Sequence, residues 1–184
     1  MARVAGRDAG GTKRVILEAA AQLIARRGSD VPLTAIAEAA GVSKGGLLYH
    51  FPTKESLMRA CAEELFARFR EQVFAAAEEE QDRAPGRLAR AYIRVSFSEA
   101  ELEGVREVIG VAAQLAFEPV VQELSHADGH RWREDLLSDG LPPRVMRLII
   151  AATDGVSSAP LWGEVLNAAE RAELQTELIE LTRE

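Results

Sequence analysis

The chain has 184 residues, and hydrophobic residues make up 47% of them, enough to bury a core and to exclude a disordered chain. The net charge of −7 is unevenly spread, because residues 1–60 carry a net +4 and residues 61–184 a net −11. A basic front followed by an acidic remainder is typical of a protein that contacts a polyanion with one part only. Cys61 is the single cysteine, so an intrachain disulfide is excluded and a small core residue is expected there.

No segment of the sequence is typical of secretion or of a membrane protein. The first residues lack the apolar region of a signal peptide, and the longest apolar runs fall far short of the roughly 18 residues of a membrane-spanning helix. We therefore expect a cytoplasmic protein that has no membrane partner.

In chain order, a flexible Gly-rich arm at residues 1–11 precedes three predicted helices. Apolar residues recur at helical spacing, and each helix is followed by residues that favour its end, namely Gly28, Gly41 and the Phe51-Pro52 pair. The helices are expected at 12–27, 33–40 and 44–50.

After Pro52 the same spacing predicts only helices, separated by turns. Thr53 is expected to cap the first of them, and Asn167 with Glu170 to begin the last. The expected helices are 54–80, 87–99, 101–124 with a bend at Pro119, 131–137 after a turn at Asp128-Gly129, one from Arg144 to a kink or break at Pro160, and 167–182. Because no segment alternates with period two, the sequence predicts an all-α fold.

Residues 33–51, LTAIAEAAGVSKGGLLYHF, predict two short helices joined by a tight turn. Gly41 supplies the positive φ that such a turn needs, and Ser43 can accept a hydrogen bond from the N–H groups that open the second helix. Ile36 and Leu47 are expected to face a small core. The residues left to face outward are Lys44, Gly45, Gly46, Leu48, Tyr49 and His50.

Residues 37–57, AEAAGVSKGGLLYHFPTKESL, resemble the N-terminal domain of the TetR/AcrR family of transcriptional regulators almost throughout. Residues 61–184 resemble the family more weakly, through helix count and the Asp154-Gly155 … Leu161-Trp162 neighbourhood. The resemblance implies a one-component regulator, most often a repressor, that binds a palindromic DNA operator as a homodimer and is released by a small-molecule ligand. It further implies a helix-turn-helix head at 12–53, with the motif at about 32–51, and a helical body at 54–184 with helix 54–80 as connector. Neither catalysis nor a cofactor is implied.

The resemblance also implies which residues contact DNA. They are Thr34, Ser43, Lys44, Gly45, Gly46, Leu48, Tyr49 and His50, with Lys54 on a phosphate. The sequence departs from the family at Pro32, where members usually have a Ser or Thr whose hydroxyl contacts a phosphate. Proline fits the first position of a helix, with Asp30 as the cap, which leaves that phosphate contact open here. The cations of the N-terminal region either reach along the DNA or form a solvated tail; they are Arg3, Arg7, Lys13 and Arg14.

The body is expected to hold the ligand pocket and the dimer interface. The resemblance implies a pocket in the body core, for which Phe97, Phe117 and Trp162 are the candidates, although each also suits an ordinary core position. Two apolar stripes, one on the helix from Arg144 and one on the last helix, are too broad for one intrachain contact and predict a four-helix bundle between two subunits. The expected interface residues are Val145, Leu148, Ile149, Ala152, Leu174, Leu178 and Leu181.

The sequence also offers an alternative function and two candidate binding sites, which rest on short motifs or single residue pairs. An activator, or a helical interaction or enzyme module that uses the helix-turn-helix only for packing, is an alternative, but no catalytic constellation stands out and we expect no enzyme. His126 and His130 could share a metal ion on a continuous helix, whereas the turn expected at Asp128-Gly129 favours no metal site. Residues 6–13 have the order Gly-Thr-Lys rather than the Gly-Lys-Thr of a phosphate loop, so no nucleotide site is expected there.

Overall fold

The computed structural model describes residues 9–98, 111–116 and 118–183. Within these ranges all regular secondary structure is helical and no strand occurs, which confirms the predicted all-α fold. The helices are α1 Ala9–Arg27, α2 Leu33–Ala39, α3 Lys44–His50, α4 Lys54–Glu79, α5 Arg87–Ser96, α6 Pro119–Leu137, α7 Pro143–Trp162 and α8 Ala168–Leu181, with a further helical segment at 111–115. Among the described residues, no helix combines the length and apolar character that crossing a membrane requires.

The ends of the first four helices agree with the local signals in the sequence. Gly28 ends α1 with a φ of +84°, and its N–H donates to the carbonyl of Ile24 at 2.8 Å. Thr53 caps α4 as predicted: its Oγ1 accepts from the Ser56 N–H at 3.0 Å, while its own N–H donates to Ser56 Oγ at 3.1 Å. These bonds satisfy N–H groups that the helix itself cannot pair.

The predicted turn at Asp128-Gly129 is wrong, and of the kink or break predicted at Pro160 the break is wrong. Helix α6 continues through Asp128-Gly129, because a glycine inside a helix costs only about 1 kcal/mol relative to alanine and the buried Asp128 and Trp132 anchor the segment. Helix α7 likewise continues past Pro160 to Trp162. A proline in the last turn removes only one intrahelical hydrogen bond, and Gly163, with a φ of +100°, ends the helix instead.

Two further predictions concern the start of the last helix and the helix expected at 101–124. The Asn167 side chain accepts from the N–H of Glu170 at 3.1 Å and the Glu170 carboxylate accepts from the Asn167 N–H at 2.8 Å, so the predicted start of the last helix is confirmed. The helix predicted at 101–124 falls partly outside the described residues; the described part is helical at 111–115 and a new helix begins at Pro119.

The chain divides into two compact units. Unit 1 consists of Met1–Leu65 and Glu103–Leu124, and unit 2 of Phe66–Leu102 and Ser125–Glu184. The core of unit 1 is built from aliphatic side chains, and its fully buried members include Ile16, Ala20, Ile24, Ile36, Leu47, Leu57 and Leu115. This apolar packing holds α1, α2 and α3 together.

Unit 2 has a core of both aliphatic and aromatic side chains. Its buried members are Val73, Ala77, Ala89, Ala91, Tyr92, Ile93, Trp132, Leu136, Met146, Ile149 and Leu178. Gly86 is the N-cap residue of α5 and offers no side-chain cap, so the N–H groups of the first turn are satisfied from far along the chain. The carboxylate of Asp139 accepts from the N–H of Leu88 at 3.1 Å and from that of Ala89 at 2.8 Å.

A fully buried arginine also stabilises unit 2. The Arg90 guanidinium donates to the carbonyls of Asp82 at 3.0 Å, Ala84 at 3.2 Å and Pro85 at 3.0 Å. It also lies 3.4 Å from the Thr182 hydroxyl, next to the C-terminal end of α8. One cation thereby satisfies the carbonyls of the segment between α4 and α5, which would otherwise have to remain hydrated.

Candidate nucleic-acid interface

The turn between α2 and α3 is built from backbone hydrogen bonds. The N–H of Gly41 donates to the carbonyl of Glu38 at 3.0 Å, and that of Val42 donates to Ala37 at 2.9 Å. Gly41 has a φ of +67°, a conformation that a side chain would strain, so the glycine is required by the turn itself. The turn sets the direction in which α3 leaves α2.

The first turn of α3 is closed by a side chain. Ser43 Oγ accepts from the N–H of Gly46 at 3.0 Å, as predicted, and the hydroxyl keeps its hydrogen as a donor to another group. A Cβ added to Gly46 would lie 3.3 Å from this oxygen, whereas one added to Gly45 would meet it only at 4.0 Å. Gly46 is therefore explained by the cap, and Gly45 is a bare, exposed backbone position.

Helix α3 divides clearly into a buried and an exposed side. Leu47 is 0% exposed and Tyr49 is 82% exposed, which is far above what an aromatic ring has in a core. The Tyr49 and His50 rings meet edge to face with centroids 5.2 Å apart. Lys44 is exposed and Leu48 is half-buried. The outward side thus combines a cation with two hydrogen-bonding rings.

The start of α2 differs from the expectation. Pro32 is the N-cap residue rather than the first helical residue, and its carbonyl accepts from the N–H of Ala35 at 3.0 Å. No side chain caps this helix, so the expected cap by Asp30 is wrong. The φ of −72° that proline imposes suits an extended N-cap as well as a helix, which is why the sequence could not separate the two positions. Thr34, in the first turn, is exposed.

The basic residues near the motif have different surroundings. Lys54 begins α4 and is half-buried beside a surface groove of about 420 Å³, which the carboxyl-bearing Asp30, Glu55 and Glu118 also line. Lys13 Nζ lies 5.9 Å from the centroid of the Phe51 ring. Arg14 pairs with Glu18 at 3.6 Å on the surface of α1, and Arg3 and Arg7 lie outside the described residues. Lys44 therefore carries the least compensated charge of the motif.

The expected pocket residues are only partly described. Phe97 is half-buried at the C-cap of α5 and packs against the core of unit 2. Phe117 and the side chain of Trp162 lie outside what the structure describes. The ligand pocket remains a prediction.

Sequence reasoning missed an aromatic cluster in unit 2 that is centred on Trp132. The rings of Phe69 and Tyr92 lie 5.5 Å and 5.2 Å from the Trp132 ring, and that of Phe74 stacks on it at 6.0 Å. The Arg70 guanidinium sits 4.5 Å above the Trp132 ring, within the range of a cation–π interaction. Phe69 and Phe74 lie on α4, Tyr92 on α5 and Trp132 on α6, and the spacing within each helix does not show that these three helices meet.

Two carboxylates complete this cluster around Arg70. Asp135 accepts from Nη2 of Arg70, and Asp128, which is buried, lies 4.0 Å from Nη1 and 3.0 Å from Arg131. In the same cluster the Tyr92 hydroxyl donates to Oδ1 of Asp154 at 3.2 Å. Burial raises the pKa of the Asp154 carboxyl above its ordinary value. Unit 2 thus holds polar groups among its aromatic side chains.

The residues expected at the dimer interface separate into two groups. Ile149 is 0% and Leu178 6% exposed, so both are core residues of one chain and have almost no surface left for a partner. Leu148 is 52% exposed on α7. The half-buried remainder of the predicted set consists of Val145, Ala152, Leu174 and Leu181. The interface itself stays a prediction, now with Leu148 as its main exposed residue.

The thiol and the histidines have separate surroundings. Cys61 is buried, and burial raises the pKa of its thiol to about 12, which favours the core role over a redox role. His126 and His130 are both exposed on α6. The described part of the chain contains no group of three His, Cys, Asp or Glu residues placed to hold a metal ion.

Two family models match the chain. Residues 86–183 match a model described as the tetracyclin repressor-like C-terminal domain. Residues 16–61 match a model described as bacterial regulatory proteins of the tetR family. The match to the tetR-family model covers the helix-turn-helix head, and the match to the C-terminal domain model follows it in the helical body.

Similar proteins agree with these matches. A 46-residue segment is 52% identical to the HTH-type transcriptional regulatory protein RaaS of Mycobacterium tuberculosis; it covers 25% of this chain and spans 22% of that protein's length. The fatty acid degradation regulator FadR from Bacillus halodurans has a similar structure, with a TM-score of 0.71 and 19% identity over 94% of this chain and 96% of that one. A member of the TetR family from Streptomyces coelicolor A3 aligns with a TM-score of 0.67 and 22% identity over 91% and 97% of the two chains.

Proposed function

This chain belongs to the TetR family of bacterial regulatory proteins, and on that premise we propose that it is a transcriptional repressor which binds palindromic operator DNA as a homodimer and leaves it when a small ligand binds. The observation that carries the proposal is the outward side of α3, where Tyr49 is 82% exposed and Lys44, in the first turn, is exposed as well. A large exposed aromatic side chain on a capped, rigid helix is suited to the base edges of a major groove.

The contacts with DNA divide into two kinds. Tyr49, His50 and Leu48 on α3 are proposed to meet bases, with Gly45 and Gly46 allowing close backbone approach. Lys44, Lys54, Ser43 and Thr34 are proposed to meet phosphates, which position the helix without reading the sequence. The carboxylates beside Lys54 weaken its pull on a phosphate, so Lys44 is proposed as the stronger phosphate contact.

The proposed dimer forms through α7 and α8. Leu148 is exposed on α7, and two such helices from each subunit can close a four-helix bundle around a two-fold axis. A glutamate at position 148 should give monomers and lose operator affinity, since a charge is costly to desolvate at an apolar interface. Arg147→Glu, at the exposed neighbouring position, is the matched control, and sedimentation measures both. A stable Leu148→Glu dimer with intact operator affinity would contradict the interface.

The ligand is proposed to act through the helical body at 54–184, with α4 as the connector from the head at 12–53. Helix α4 carries Lys54 at its start and Arg70 in the aromatic cluster of unit 2. A ligand that binds one arrangement of that cluster more tightly than another shifts the population of the two, and operator affinity changes with it. We propose no catalytic activity and, because the target is DNA, a cytoplasmic location.

Selection of the operator from random DNA, followed by binding at several salt concentrations, tests the function. About six to eight phosphate contacts for a dimer predict a slope of log affinity against log salt of roughly −5 to −7. A slope near zero, or no selected sequence, would favour the helical interaction module instead. Transcription from a promoter that carries the selected site separates a repressor from an activator.

A further inference from the structure

Helix α6 places two imidazoles on one face. It runs without interruption from Pro119 to Leu137, and His126 and His130 lie four residues apart within it. Side chains at this spacing stand one above the other, with Cβ atoms about 5–6 Å apart. Both histidines are exposed, and among the described residues neither imidazole takes part in a hydrogen bond or an ion pair.

This arrangement suits a transition-metal ion. Two histidines four residues apart on a helix are how zinc-binding helices present adjacent ligands to one ion. Imidazole nitrogen is a preferred ligand of Zn²⁺, Ni²⁺ and Cu²⁺, whereas Mg²⁺ and Ca²⁺ prefer oxygen. Glu134 lies one further step along this face and is exposed, so it adds a favourable negative charge.

A metal ion bound by this pair would span the weakest point of α6, at Gly129. Gly129 lies between the two histidines, and a Cβ placed there would meet nothing within 4 Å, so no packing compensates for its weak helix propensity. Asp128 and Trp132, on either side of Gly129, are buried and hold the Arg70 guanidinium. An ion that bridges positions 126 and 130 therefore restrains the turn that presents this cluster.

We propose that His126 and His130 form a binding site for one divalent transition-metal ion of the zinc, nickel and copper class, and that the bound ion stiffens α6 across Gly129. The described residues provide no group of three ligands, so water completes the coordination. A site with two protein ligands is reversible and weaker than a closed structural site with four. It does not depend on the proposed function, since neither DNA nor the dimer enters the argument.

Metal titration of the full, untagged chain tests the site. Calorimetry with ZnCl2 and with NiCl2 should show one ion per chain for the wild type. His126→Ala and His130→Ala should each lose most of that affinity, at least tenfold. His50→Ala removes the third and last histidine and should bind metal like the wild type. No binding by the wild type, unchanged binding by both α6 variants, or loss with His50→Ala alone would each overturn the site.

Hydrogen exchange tests the structural consequence. Saturating Zn²⁺ should slow exchange of the amides at residues 126–133 in the wild type and leave them unchanged in His126→Ala. Thermal unfolding should show a midpoint that rises with Zn²⁺ concentration in the wild type only, because the ion binds the native helix and not the unfolded chain. Binding without slower exchange at 126–133 would retain the site but overturn the stiffening of α6.

Discussion

The hydrogen bonds that shape the helix-turn-helix of unit 1 and the start of α5 in unit 2 span different distances along the chain. In unit 1 the hydrogen bonds that build the helix-turn-helix join residues three to five apart, such as Gly41 to Glu38 and Gly46 to Ser43. In unit 2 the corresponding bonds join distant residues, such as Ala89 to Asp139 and Arg90 to Thr182. The shape of the helix-turn-helix therefore depends on residues close together in the chain, whereas the start of α5 depends on residues far apart.

The largest expected effect concerns the distant contacts of unit 2. Arg90→Met should destabilise the chain by about 3–5 kcal/mol, since it leaves the Glu80 carboxylate and the carbonyls of Asp82, Ala84 and Pro85 without their cationic partner. The free energy of urea unfolding measures this. Arg183→Met is the control: Arg183 lies 3.8 Å from Asp82 on the surface, and its loss should cost no more than about 1 kcal/mol. Equal effects would mean that the buried arginine is not what stabilises this region.

A cavity in the head should cost slightly less. Ile36 is buried in the core of unit 1, and Ile36→Ala should lower the free energy of unfolding by about 2–4 kcal/mol. The same variant should lose operator affinity only through the unfolded fraction. Thermal unfolding with and without operator DNA measures both quantities. A loss below about 1 kcal/mol would show that the small apolar core does not determine the stability of the head.

Acid should weaken the distant contacts of unit 2. The hydrogen bond from Arg94 lowers the pKa of Glu80 below its ordinary value of 4.5. Because the pKa of Glu80 is lower in the folded chain than in the unfolded chain, the ionised carboxylate stabilises the fold above about pH 4.5. This stabilisation is lost as the pH falls through the pKa of the folded state. Glu80→Gln should therefore be less stable than the wild type near neutral pH, and its unfolding free energy should fall less between about pH 5 and about pH 3. Glu79→Gln, at the exposed neighbour, is the matched control and should keep the wild-type free energy of unfolding near neutral pH.

These contrasts explain how far the sequence could predict the structure. The limits of α3 and the caps by Ser43 and Thr53 depend on neighbours in the chain, and all were predictable. The continuity of α6 was not, because Asp128-Gly129 has the local chemistry of a turn and is overruled by burial against Arg70. The N-cap position of Pro32 was missed for another reason: its φ fits both candidate positions.

In the candidate site, too, features set by neighbours in the chain were predictable and features set by distant contacts were not. The division of α3 into a buried Leu47 and an exposed Tyr49 follows from helical spacing alone. Leu178 was assigned to a partner subunit, yet it fills the core of unit 2, since apolar spacing does not distinguish an intrachain contact from an interface. The cluster around Trp132 needed three separate helices to be brought together.

The smallest effect on stability should accompany a large effect on function. Tyr49→Ala should change the free energy of unfolding by no more than about 0.5 kcal/mol, because the ring is exposed. Operator affinity should fall roughly tenfold, the order expected for one lost hydrogen bond at an interface. Fluorescence anisotropy with the selected operator measures the affinity. If Tyr49→Ala unfolded the head as Ile36→Ala does, the assignment of the two sides of α3 would be wrong.

The burial of Cys61 has a practical consequence for following this protein in solution. Burial raises the pKa of the Cys61 thiol to about 12, so very little of it is present as thiolate at neutral pH. Maleimide and iodoacetamide dyes react with the thiolate, so the native cysteine stays unmodified while the fold is intact. A cysteine placed at an exposed position such as Glu38 or Arg59 can therefore be labelled selectively without first removing the native one. A single-site variant of this kind therefore allows the proposed dimer to be tested by distance measurements between labels on two chains.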